Sequence, residues 1–155
     1  MLPELEKILS KKDKRILFVG IGNVLKSDDG VGVYIANGIK KSERILTLSV
    51  EVSVENYIGK INSLEPDIIV LVDCVEMKAS PGKCRIIKPE LIRDLTFNTH
   101  NISIKKLVNF FEMPVFVLGI QPENVEFGEN ISYIVKKVAD QIIQLINSQE
   151  VQNGY

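Results

Sequence analysis

Residues Asp67–Asp73 read DIIVLVD, five consecutive apolar side chains closed at each end by a carboxylate. A strand with one wet face alternates apolar and polar residues, so an unbroken run needs cover on both faces. That predicts a central strand of a parallel sheet, with helices above and below. Three other segments read as strands: Arg15–Ile21 (RILFVGI), Ile45–Val52 (ILTLSVEV) and Val115–Gly119 (VFVLG). Helix-spaced apolar sets follow or separate them: Val31, Tyr34, Ile35 and Ile39; Val54, Tyr57, Ile58 and Ile61; Ile104, Leu107, Val108 and Phe111. The longest set is Ile131, Ile134, Val135, Val138, Ile142, Leu145 and Ile146. Pro81-Gly82 marks a turn into a short strand, Cys84–Ile87, reached too quickly for a crossover helix. This strand is expected to run antiparallel to the one ending at Asp73. The pattern is an α/β fold: a three-layer sandwich around a mostly parallel, twisted sheet of about five strands, one antiparallel, with helices on both faces. In such folds ligands sit beyond the carboxyl ends of the strands.

A chain of 155 residues suits one domain over residues 1–155, and at this length folding buries roughly 68–70% of the unfolded surface without a staple. Leu2–Lys11 reads as an amphipathic helix with Leu5 and Leu9 on one face, an N-terminal extension over residues 1–14. Residues 148–155 are expected to fray. The net charge of −1 shows no basic excess for nucleic acid. No apolar run approaches the ~20 residues of a membrane span, and the N-terminus carries no signal core. Cys74 and Cys84 form no C-x-x-C pair and fit reduced, buried thiols, so a cytoplasmic location is expected.

The first strand leads into Gly20–Gly32, GIGNVLKSDDGVG. A dinucleotide fingerprint and a phosphate loop would both need glycine at position 25, where this chain has Leu25. Asp28 and Asp29 stand where bare helix N–H groups would otherwise attract an anion, so the loop favours a cation. Asp28 is expected to cap the helix, which frees Asp29 for chemistry. Asp73 ends the apolar strand, where a carboxylate is costly unless it binds something. His100, the chain's one histidine, lies in FNTHNISI just before a helix. Asp29, Asp73 and His100 are all expected at one mouth of the sheet, a donor set suited to a first-row divalent metal.

Acids after the first and third strands also fit a phospho-receiver signalling module with an acidic metal pocket. That module would place its paired acids directly at the strand end and a lysine after the fifth strand. Here the acids come later, and VFVLGIQPE offers no such lysine. The receiver is the second reading.

GIGNVLKSDDGVG, IIVLVDCVEMKASPGKCRII, NTHNIS and VFVLGIQPENVEF stand in one order. Together they resemble the maturation endopeptidases of nickel-iron hydrogenases, most of all the branch serving formate-hydrogenlyase and energy-converting hydrogenases. The likeness runs from about Arg15 to Gln144. It implies a cytoplasmic protease, expected to be monomeric, that removes a C-terminal peptide from the hydrogenase large-subunit precursor after nickel insertion. The family's nickel-contacting positions match Asp29, Asp73 and His100, and the nickel would come with the precursor; a surrogate divalent ion could take its place. The family's acid and paired glycines after the second strand are replaced here by TLSVEVSVENYI, which keeps only Glu55-Asn56. No G-x-S-x-G occurs and the two cysteines share one histidine, so water is the expected nucleophile. Either metal polarisation or a carboxylate base would activate it. Gly119–Glu123 (GIQPE) reads as a turn set by Pro122 that could border the peptide cleft.

Overall fold

The computed structural model describes residues 2–88, 90–91, 96–97 and 104–151, with the backbone alone at 96–97, 105 and 150–151. The chain runs α1 (Pro3–Leu9), β1 (Ile16–Ile21), α2 (Val31–Gly38), β2 (Ile45–Glu51), α3 (Ile58–Ser63) and β3 (Ile68–Glu76). It continues through β4 (Cys84–Ile87), β5 (Thr96–Phe97), α4 (Ile104–Leu107), β6 (Val115–Ile120) and α5 (Tyr133–Val151). Short 3-10 turns precede α2 (Ser27–Gly30) and α3 (Val54–Tyr57) and extend α4 (Val108–Phe110). Val54 and Tyr57, read from their spacing as part of a helix with Ile58 and Ile61, belong to the tighter turn that leads into it.

The five principal strands are ordered β2-β1-β3-β6-β4. β1 pairs in parallel with β2 and β3, and β3 with β6. The apolar run is indeed the middle of the sheet, and β3 is buried from Ile68 through Val75. Alternate residues feed two cores. Ile16, Phe18, Val70 and Val72 face Leu5, Ile35, Val135 and Ile142 from α1, α2 and α5. Leu17, Val19, Ile69 and Leu71 face Val54, Ile61, Ile104 and Leu107 from the α3 and α4 side. Each fully buried side chain of this kind stabilises the fold by roughly 1.5–3 kcal/mol, which is why neither face can be left bare. The arrangement is the expected α/β sandwich.

Two details differ from the reading of the sequence. β4 runs antiparallel, but its hydrogen-bonded neighbour is β6 (Cys84↔Ile120, Ile87↔Val117) and not β3. The edges of β3 are already taken by β1 and β6, so the returning strand must pair one position further out. β3 itself continues past Asp73 to Glu76, where the two-residue β5 joins it antiparallel (Val75↔Phe97, Glu76↔Thr96). Asp73 therefore lies inside the strand, in register with Gly119. At the C-terminal end α5 runs to Val151, and the rest of the tail expected to fray, 152–155, lies outside the described residues. Among the described residues no helix is long and apolar enough to cross a membrane.

Candidate active site

The chain leaves β1 toward β2 on one side and returns through β3 on the other, so a crevice opens at the carboxyl ends of β1 and β3. Backbone contact brings the loop after β1 into that crevice. A Cβ on Gly32 would lie 2.1 Å from the Val72 carbonyl oxygen and 2.4 Å from that of Ile21. Gly22, at φ +141°, has its missing side chain directed at the Asp29 carbonyl, 1.9 Å from where a Cβ would sit. The close approach that a third fingerprint glycine would supply at position 25 is thus supplied at 32. Leu25 instead points outward and is 53% exposed.

This packing puts the 3-10 turn Ser27–Gly30 against β3. Asp29 sits three residues before Gly32, and Asp73 one residue beyond Val72. Both carboxylates are fully buried, with no exposed surface. Asp29 Oδ2 accepts the Asn23 N–H at 2.8 Å, while its Oδ1 is buried without a hydrogen-bond partner among the described residues. Asp73 Oδ1 accepts the N–H of Cys74 at 2.8 Å. His100 lies outside the described residues. Among those described, no three His, Cys, Asp or Glu side chains converge closely enough to hold an ion.

Asp28 does not cap a helix. Neither the 3-10 turn nor α2 has a side-chain cap. Its carboxylate crosses instead to the loop after β6, accepting the N–H groups of Glu123 (2.8 Å), Asn124 (3.0 Å) and Ser132 (2.7 Å) and the Ser132 hydroxyl (2.7 Å). The two loops are sewn together around it. Ser27, held at φ +53°, donates its N–H to Gly128 O and its hydroxyl to Glu126 O, both at 2.7 Å. Gly128 N–H returns to Leu25 O at 2.9 Å.

Gln121 of the GIQP segment is buried and turned inward. Its carbonyl oxygen accepts the N–H groups of Met77 (2.7 Å) and Ala79 (3.3 Å), and its amide donates to Glu76 at 3.1 Å. The side chain is thus engaged in fastening the loop after β3. Glu76 is held below the usual carboxylate range, chiefly by the Lys78 N–H and then by the Gln121 amide. Sequence reasoning passed over Glu55 as a site residue; its Oε2 is a second buried carboxylate oxygen without a partner among the described residues, in the turn after β2. The only signal for it was an acid retained where the family pattern otherwise lapsed. The cysteines form no disulfide; Cys74 is packed in the core, and burial pushes the Cys84 thiol up.

Two buried acids at a switch point, one with an oxygen that no described residue donates to, can accept a cation or a proton donor from a ligand. The receiver alternative finds no support here: the outer strand β4 opposes the rest, and none of the similar proteins below is such a module. A family model described as "Hydrogenase maturation protease" (HycI) matches residues 52–149. The "Hydrogenase 3 maturation protease" of Escherichia coli is 28% identical over 141 residues, covering 87% of this chain and 90% of its own. The crystal structure of a nickel-iron hydrogenase maturation protease HycI from Thermococcus kodakarensis superposes with a TM-score of 0.81 at 27% identity, covering 94% of this chain and 97% of that one. The solution structure of the endopeptidase HycI from Escherichia coli gives 0.74 at 27% identity, covering 88% and 91%. With well over half its length matched, the chain belongs to the HycI family of hydrogenase maturation proteases, and it is an endopeptidase.

Proposed function

We propose that this protease removes the C-terminal extension of a nickel-iron hydrogenase large-subunit precursor once nickel is in place, and that the nickel is the feature it recognises. Asp29, Asp73 and His100 are the residues that would contact it. The observation carrying this reading is Asp29 Oδ1, a buried acceptor for which the described residues provide no donor. A carboxylate oxygen kept dry and unpaired is costly unless a ligand completes it. Carboxylate and imidazole donors suit a divalent first-row ion, so the residues fit the metal. The relative named for hydrogenase 3 points to a large subunit of that type as the substrate.

The metal belongs to the substrate, and contact with it would discriminate filled precursor from empty. An empty precursor would leave the buried Asp29 Oδ1 without a ligand, which is rejection by an unpaired polar group. When bound, nickel can polarise the scissile carbonyl or acidify a water. The protein's share is to present the carboxylates in fixed positions, take a proton from the attacking water if a carboxylate serves as base, and exclude bulk solvent. The protease would act as a monomer in the cytoplasm.

The test is cleavage of one precursor preparation with and without nickel, by wild-type enzyme and by Asp29→Ala. Cleavage only with nickel, and only by wild type, is the expected result. Efficient cutting of nickel-free precursor would overturn the recognition role, and wild-type rates from Asp29→Ala would overturn the site.

A further inference from the structure

We infer that Asp28 is a positioning residue for the reaction: through the backbone it shares with Asp29, it fixes where the unpaired carboxylate oxygen points. The inference rests on the reading of Asp29 just given. Among the described residues, Asp29 has a single hydrogen bond to steer its side chain, from Asn23 N–H to Oδ2. One contact leaves a carboxylate free to pivot. Its aim must be set by what holds the neighbouring backbone.

Asp28 supplies that hold. It is fully buried, and its two oxygens take four donors, three backbone N–H groups and one hydroxyl, at 2.7–3.0 Å. Its own N–H donates to Asn124 O at 2.9 Å, so the peptide on its N-terminal side is anchored too. Donors to a charged acceptor are the strong, directional kind. The next peptide is planar, so an immobilised Asp28 leaves the Asp29 Cα little freedom. Supporting contacts of this type orient reacting groups to within fractions of an ångström. Asparagine cannot substitute. Whichever way its amide is turned, the NH2 group meets at least one of these N–H donors head-on.

The experiment compares Asp28→Asn, Ser132→Ala and Ser132→Thr with wild type on nickel-loaded precursor. Two readouts are kinetics and amide hydrogen exchange at Asn23 and Leu71. Asp28→Asn is expected to lower kcat by roughly tenfold or more with KM nearly unchanged, the pattern of a lost transition-state interaction. The Asn23 amide, bonded to Asp29, should exchange faster by a similar factor while Leu71 in β3 keeps its protection. Ser132→Ala removes one donor and should move both readouts less, in the same direction; Ser132→Thr keeps the hydroxyl and should restore them. Wild-type kcat in Asp28→Asn, or loss of protection at Asn23 and Leu71 together, would overturn the inference. Should Asp28→Asn fail to fold, Ser132→Ala with wild-type kcat and Asn23 exchange would do so. Activity in Asp29→Ala would instead overturn the underlying reading, so the two failures are distinct.

Discussion

Asp29→Asn should make the protein more stable while destroying its activity. In the native chain, Asp29 Oδ2 accepts the Asn23 N–H and Oδ1 has no partner among the described residues. An asparagine carbonyl can keep the Asn23 bond, so that hydrogen bond is not lost. The other oxygen becomes a neutral amide. A buried unsatisfied polar group costs about 1–3 kcal/mol when neutral and more when charged. The exchange therefore removes the charged excess and keeps a penalty of the smaller kind. The net gain is on the order of 1 kcal/mol, which at this chain length is about 2–4 °C in the unfolding midpoint. Calorimetry or circular dichroism with a chelator present measures it, because a bound divalent ion would add its own stabilisation. Cleavage of nickel-loaded precursor should meanwhile drop by about a hundredfold or more. A midpoint lowered by more than about 2 °C would refute the reasoning, since it would mean that Oδ1 is hydrogen-bonded in solution.

Gly32→Ala should cost about 1–3 kcal/mol or more, because its Cβ would fall 2.1 Å from the Val72 carbonyl oxygen and force α2 off the sheet. Gly59→Ala is the control: nothing lies within 4 Å of its Cβ in helix α3, so denaturant titration should show a gain of about 0.5–1 kcal/mol. Iodoacetamide should label Cys84 more slowly than a free thiol near pH 8, since burial raises its pKa and shrinks the thiolate fraction; a rate equal to free cysteine would contradict the packing. Glu76 titrates below its ordinary value, so its support for the Met77–Ala79 loop is complete above the unfolded carboxylate pKa. That support is lost only as pH falls through the lower folded value, and amide exchange of Lys78 against pH should show the loop loosening there and not near neutrality.

Much of the sheet was legible because its signals are local. Five apolar positions in a row identify a central strand whatever surrounds it, whereas the close backbone approach at Gly22 and Gly32 emerged only from the structure. What failed was set by distant partners. Asp28 carries the local signature of a cap, yet its donors lie 95 to 104 residues later in the chain. Nothing in SDDG reveals them. Asp73 looked like a strand end because acids usually are, but pairing with β6 and then β5 carries the ladder three residues beyond it. The neighbour of β4 depended on which sheet edges were already occupied, a property of the assembled sheet alone. Of the expected site, Asp29 and Asp73 are placed buried at the switch point, and His100 lies outside the described residues.

The seam between the loops after β1 and β6 also governs when the site can come into being. Asp28 leaves the ribosome early, but Glu123, Asn124 and Ser132 follow 95, 96 and 104 residues behind it. At roughly 5–20 residues per second of synthesis, that is an interval of about 5–20 s. Closing so long a loop is slow relative to local structure, and it cannot begin before its second half exists. Through that interval Asp28 and Asp29 have been made but the donors that anchor Asp28 have not. A proteolytic activity is thereby withheld until most of the polypeptide has been made, and a chain truncated before Ser132 should be unable to cut at all.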